Sequence, residues 1–593
     1  MAPAHSANPR RSRSRVWRWV LLSLAAVLLA TVAWVGIRGL MARSELEAAI
    51  PLAEQIQRQV IDGNAARAAD TAVLLDQHAR AAQSLTSDFV WMGYELVPGL
   101  GPNLATVREL TDIVAQVSSE AIQPLTELAG GIDLADFKPV DSTVDLRPLI
   151  DAQPAVGAAA DALANTTARV ETVDTSQVLG VVRDAVTRLR NAVVPANEAV
   201  QSVDRAVTLL PRMLGAEGPR DYLLLFQNPA EVRATGGIPG ALAVIHTENG
   251  RIELTEQAST ADFSMFQDPV LGLPTDTRAL YSDQPAQYIQ DVTATPNFPL
   301  AATLAREMWL LQFGQEVDGV IAVDPFVLGY LLDVTGPLTL ATGDQLTGAN
   351  TVPLLLSEVY ARYSEPADQD LFFAAAAAAA FSHVVSGAGD PTLLIGALAK
   401  AANEKRVLLW SAHEEDQSLL TGTTLAGELP VSDTDTQRFG VYQNDSTAAK
   451  MGYYLTTSIA AGSDNCRNDG RATMAVDITM TSTAPLDAAT ALPEYVTGAG
   501  AYGTPPGIIS TIVYVYGPPG ASNLGATGFD GLGVHPTEDE GYPVTSFQVD
   551  LAPGETKTVR VSMLSESPYT GPVEIAATPG VNTHVTVEPS LIC

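Results

Sequence analysis

Cysteine is nearly absent from this chain. Of 593 residues only Cys466 and Cys593 carry a thiol, and the seven histidines are scattered. No H-E-x-x-H and no close Cys/His set occurs, which argues against zinc chemistry. A G-x-S-x-G nucleophile elbow and a G-x-x-x-x-G-K-[ST] phosphate loop are missing too. Positive charge is scarce, with 34 Lys and Arg against 67 Asp and Glu. Seven of the 34 fall in residues 1–43, which hold no acid, so the remainder carries 27 against 67, a formal net charge of -40. Such a field repels nucleic acid and anionic headgroups at long range, and no nucleic-acid partner is expected.

The exception to this acidity is the N-terminus. Arg10, Arg11, Arg13, Arg15 and Arg18 precede an uncharged run from Trp19 to Ile37. Nineteen residues is close to the ~20 needed to cross a bilayer, and Trp17, Trp19 and Trp34 stand near its ends, where aromatic rings favour the interface. The expectation is a cytoplasmic tail over 1–18, a single-pass transmembrane helix over 19–37 in the cell membrane, and an extracytoplasmic bulk. A cleaved signal peptide is the competing reading, but its apolar region is shorter and ends in a clearer small-residue site. In an oxidising compartment Cys466 and Cys593 are expected to pair, the alternative being two unpaired thiols.

Three regions follow. Residues 44–215 are rich in Ala, Leu and Val at helical spacing, as in Leu46, Ile50, Leu52, Ile56 and Val60, which predicts a helical bundle or stalk. Residues 217–438 alternate strand and helix, with Asp324-Pro325 as an N-cap followed by proline at the first helical position, and predict a mixed α/β core domain. Residues 439–593 carry short strand patterns such as Thr473 to Thr481 and Ser510 to Tyr516, and predict an antiparallel β-sandwich. The fold class is therefore multidomain α+β.

The chain is organised around Asp221 to Gln257. Tyr222 to Gln227 reads as a strand, Ala241 to Thr247 as a second, and Asn249-Gly250 as a hairpin turn into a third. Between the first two strands lies a glycine loop with one cation, Arg233, and with Thr235, Gly236 and Gly237. Backbone N–H groups in such a loop can approach an anion closely, so this is a candidate anion site. The bland alternative is a bulge with a solvated arginine. Lys450, in the polar loop from Asn444, is a second candidate for an anionic ligand, and a surface turn is its alternative. His413 to Asp416 reads either as a cation site or, more plainly, as a solvated helix start.

The segments YLLLFQNPAEVRATGG, TENGRIEL, VDGVIAVDPFVLGYLLDVTGPLTL and QNDSTAAKMGYYL resemble the membrane-anchored family catalogued as domain of unknown function 4012, over most of the stretch from Ser44 to about Met480. More distantly the core resembles the LytR-CpsA-Psr phosphotransferases, which attach polyprenyl-pyrophosphate-linked glycopolymers to the cell wall. That resemblance implies a pyrophosphate role for Arg233, later polar positions at Arg362 and Asp370, with Asp370 toward a metal, and Mg2+ as the cofactor. The chain departs from the pattern at Thr235, at Ala258-Ser259-Thr260, and at Phe373 and Ala376, where an acid and arginines are usual. Losing preorganised cations removes ~2.7 to 4 kcal/mol of transition-state stabilisation each. The expectation is an envelope protein that binds or assembles lipid-linked or wall polysaccharide, with altered or absent catalysis. The alternatives are a divergent metal-dependent glycopolymer phosphotransferase, and a structural stalk or sensor without a small ligand.

Overall fold

The computed structural model describes residues 13–61, 64–131, 137–528 and 534–587. The chain divides into two compact units, one made of Met1–Asp136 with Arg147–Leu210, the other of Phe137–Leu146 with Pro211–Cys593.

The first unit is helical. Helix α1 (Arg13–Ile61) contains the expected membrane segment and runs on through it. The sequence reading places the span and the later amphipathic region apart; they are one helix because residues 38–43, which join them, hold no proline and a single glycine, and the helix continues even through Pro51. By length and composition Val16–Val60 can cross a membrane, compatible with a single-pass anchor or a signal sequence. Val35, Ala42, Ala49 and Ile56 are its buried apolar residues, one every seven, and α2 (Ala65–Thr86) packs along α1 with Ala68, Ala72, Leu75, Ala79 and Ala82. A seven-residue seam of mostly small side chains is the pattern of two helices lying close and nearly parallel in axis. The remaining helices are α3 (Phe89–Tyr94), α4 (Gly101–Val117), α5 (Gln123–Gly131), α6 (Arg147–Glu171) and α7 (Gly180–Met213), with a π-turn at Ser118–Ile122 between α4 and α5.

The second unit begins with a mixed five-stranded sheet in the order β3-β2-β1-β4-β7. Its strands are β1 (Arg220–Asn228), β2 (Ile238–Glu248), β3 (Arg251–Ser259), β4 (Gly319–Val323) and β7 (Val407–Ser411); β5 (Leu338–Thr339) and β6 (Gln345–Leu346) form a separate small ribbon. β1 is central, antiparallel to β2 and parallel to β4. Its run Tyr222–Leu225 is buried without alternation, as expected of a strand covered on both faces. Leu223, Leu225, Leu242 and Val244 pack on Phe298, Leu304, Met308 and Trp309 of α9 (Phe298–Phe313), α8 being Thr275–Tyr281. The β2–β3 turn has Asn249 and Gly250 at φ 50° and 84°, as a two-residue hairpin requires. Asp324 caps α10 (Pro325–Thr335), accepting from the N–H groups of Phe326 and Val327 at 2.9 and 3.3 Å.

The C-terminal part holds two more five-stranded sheets, β12-β15-β10-β9-β17 and β13-β14-β11-β8-β16. They share one core, with Met474, Val476, Ile478 and Met480 of β10 (Arg471–Ser482) among Phe439, Val513, Phe547 and Val561. The other strands are β8 (Gln437–Asp445), β9 (Leu455–Asp464), β11 (Ile509–Tyr516), β12 (Ser522–Thr527), β13 (His535–Asp539), β14 (Tyr542–Leu551), β15 (Thr556–Pro568), β16 (Val573–Ala577) and β17 (Asn582–Val587). A purely antiparallel arrangement does not hold, because β16 and β17 pair in parallel with β8 and β9. Cys466 lies in the β9–β10 turn; its expected partner Cys593 falls outside the described residues.

Candidate functional site

The glycine loop leaves the carboxyl end of β1 at Asn228 and returns into β2 at Ile238. Its N–H groups turn inward rather than toward solvent. Ala234 donates to Asn444 Oδ1 (2.9 Å), Gly236 to Arg233 O (2.9 Å) and Gly237 to Gln227 Oε1 (3.3 Å). The Thr235 hydroxyl accepts from Gln227 Nε2 at 3.0 Å. Glycine is required for packing: a Cβ on Gly237 would sit 2.2 Å from Asn228 C, and one on Gly236, whose φ is +141°, 2.4 Å from Gln227 Oε1.

Arg233 is buried and fully engaged. Its Nη2 donates to Asp291 Oδ1 (3.1 Å) and Glu231 Oε1 (3.2 Å), and its Nη1 to the carbonyls of Val232 (3.1 Å) and Asp445 (3.3 Å). Lys450 is buried beside it and donates to the other oxygen of Glu231, with the Tyr495 ring 5.2 Å from its Nζ. The Asp445 carboxylate lies beneath, accepting from Thr447 N (2.9 Å), Thr447 Oγ1 (2.8 Å) and Ala449 N (3.3 Å). Three carboxyls, one from the loop, one from a 3-10 turn (Ile289–Ala294) and one from β8, thus surround two cations.

Burial alone would raise every carboxyl here, and the neighbours decide the outcome. Glu231 faces both Lys450 and Arg233, which outweigh burial and hold it below the usual range. Asp291 shares Arg233 with Glu231, and burial wins, so it is raised. Asp445 is pushed up to about 6, by burial first and the Glu231 charge second. Lys450 and Arg233 are held high by Glu231 against the opposing effect of burial. A cluster with one more acid than base offers an incoming anion no unbalanced positive charge.

The other expected positions lie apart from this cluster in their bonding. Arg362, at the end of α12 (Val359–Arg362), pairs with Asp344 at 2.7 Å on the surface; the short α11 (Thr351–Pro353) and a π-turn (Leu354–Glu358) precede it. Asp370, in α13 (Pro366–Val385), is raised by burial and bonds to Ser259, near Asp262. Among the described residues no three His, Cys, Asp or Glu side chains converge as a metal ligand set. His413 precedes a short helix, α15 (Glu414–Leu420), and its Nε2 bonds to Asp318 Oδ1 at 2.7 Å, while Asp416 pairs with Arg212 at 3.5 Å; α14 is Pro391–Asn403.

Residues 217–360 match the family described as protein of unknown function (DUF4012). That span is narrower than the stretch from Ser44 to about Met480 over which the sequence resemblance is drawn. No curated protein and no solved structure matches this chain. The DUF4012 segment contributes Glu231, Arg233 and Asp291 to the cluster, and Asp445 and Lys450 come from outside it. Sequence reasoning picks out Arg233 and Lys450 but misses the three acids. Glu231 carried a signal, since it stands two residues from Arg233 in the same loop. Asp291 and Asp445 carried none, being 58 and 212 residues from Arg233.

Proposed function

We propose that this chain is a membrane-anchored, extracytoplasmic cell-envelope protein that binds or assembles lipid-linked or wall polysaccharide and does not itself transfer phosphoryl groups. The polysaccharide part of this reading draws on the resemblance to the LytR-CpsA-Psr phosphotransferases, and the C-terminal sheets are read as a sandwich that spaces or presents the core. The part about catalysis is carried by one observation: Arg233 is buried against Glu231 and Asp291. Phosphoryl transfer needs cations poised for charge that develops on the phosphate oxygens. A guanidinium already satisfied by two carboxylates is not poised for that charge. Its role is to fasten the glycine loop to β8.

The test is full-length protein in lipid nanodiscs incubated with a polyprenyl-pyrophosphate glycan and Mg2+. Retention of the lipid-linked glycan without release of the polyprenyl phosphate is expected. Turnover would establish the phosphotransferase instead, and neither binding nor turnover would leave a structural stalk.

A further inference from the structure

The expected membrane segment is not free along its whole length. Thr31 Oγ1 lies 2.8 Å from Tyr94 Oη, and Trp34 Nε1 donates to Asp88 at 3.3 Å. Trp91 is buried with Val35 and Leu104. Arg38 donates to the last carbonyls of α2, at Leu85 (3.0 Å) and Ser84 (2.9 Å), and pairs with Asp88 at 2.8 Å. Helix α3 therefore starts level with Arg38 and descends beside α1 to the level of Thr31, inside the uncharged run. Were the bilayer to stop where α3 begins to cover α1, only Trp19 to Ala30 would remain, ~18 Å of helix at 1.5 Å per residue. Hydrocarbon is ~30 Å thick, and the full run to Ile37 is ~28 Å.

The side chains of α3 and the following turn fit the alternative. Phe89 is 82% exposed and Leu96 86%, with Met92, Val97 and Leu100 also exposed. Phe89 and Met92, three apart on α3, share one face, and Leu96 follows in the turn after it. Between Asp88 and Arg108 the only charge is Glu95, which pairs with Arg108 itself at 2.7 Å. An apolar, charge-paired tip in a chain this acidic is what a lipid interface accepts.

We propose that α3 and the turn after it lie in the headgroup and upper acyl region of the bilayer, beside α1, with Phe89, Met92, Leu96, Val97 and Leu100 toward lipid. This rests on reading α1 as a membrane anchor. The tip then completes the span and fixes how deep the anchor sits.

The experiment places a fluorophore at Phe89→Cys, Leu96→Cys, Leu24→Cys and Val203→Cys in full-length protein reconstituted in vesicles, with the wild-type label subtracted. Lipids bearing nitroxides at shallow or deep positions serve as quenchers. Leu96 and Phe89 are expected to lose several-fold more emission to the shallow quencher than Val203, which is exposed on α7. Leu24 should respond to the deep one. Quenching at Leu24 with Leu96 and Phe89 no different from Val203 overturns the proposal and leaves the anchor standing. No quenching at Leu24 removes the anchor and the proposal together.

Discussion

Strand β1 ends in charge at both extremities, and the two ends behave oppositely. At its carboxyl end Glu231, Arg233 and Lys450 have side chains 4%, 9% and 9% exposed. At its amino end Asp221 pairs with His246 (2.7 Å), and Asp318 with His413 (2.7 Å) and Arg220 (3.4 Å), all but Arg220 about a third exposed. Water solvates the second set whether or not the pairs form, so each is worth ~0 to 1 kcal/mol. The first set has no such recourse. The two cations there are held by buried carboxylates, and removing a cation strands the carboxylates it pairs.

The contrast between the two ends is sharpest at Arg233. Arg233→Ala leaves Asp291 and part of Glu231 buried without a cation, and should cost ~3 to 5 kcal/mol, read as a fall in Tm of the ligand-free protein. Arg233→Lys keeps charge but loses the planar fork, and should fall between. An unchanged Tm in Arg233→Ala would mean that the buried cluster is no more coupled than the wet one.

Asp445 tests the sign. Burial and the Glu231 charge push its folded carboxyl up from the ordinary 3.8 to about 6, so its contribution to stability is full below 3.8 and is lost as pH rises through about 6. Asp445→Asn removes that loss while leaving an acceptor for Thr447 N and Ala449 N. At pH 7.5 it should stabilise by up to ~3 kcal/mol, and at pH 4 it should change nothing. A destabilisation that is equal at both pH values would contradict the raised carboxyl.

Gly237→Ala probes whether the loop glycines serve packing. With backbone 2.2 Å from the new Cβ, a cost of ~1 to 3 kcal/mol is expected even with no ligand present. The smallest effect belongs to the wet end: His413→Ala should change stability by ~1 kcal/mol or less, shrinking further in high salt. A larger, salt-insensitive loss would erase the contrast between the two ends.

How much of this was legible depends on the range of the interaction. β10 reads RATMAVDITMTS, and its buried residues alternate without a slip from Ala472 to Ser482. The Asn249-Gly250 turn and the Asp324-Pro325 cap were equally plain, because each is decided within four residues. The parallel pairing of β16 and β17 was not, since both strands look alike in either direction. The glycine loop was located correctly, but what faces it was hidden: Lys450 stands 219 residues from Glu231. A loop rich in glycine is compatible with an anion or with close backbone packing, and only the distant partners distinguish the two.

The segment joining β16 to β17 returns to the glycine loop. Thr578 Oγ1 donates to Ala234 O at 2.9 Å across 344 residues, and Arg406 donates to Pro579 O and Gly580 O at 3.3 and 3.1 Å. The first loop of the α/β core is thus finished by residues that follow it by more than three hundred positions in the chain. Loop closure over such a distance is slow, and a chain emerging from its amino terminus must hold β1 and β2 without their final partners until residue 580 arrives. Folding of the core is in this way tied to synthesis as far as β17, and a product cut short before β16 would lack the Thr578 hydroxyl on the Ala234 carbonyl and the two carbonyls that accept from Arg406.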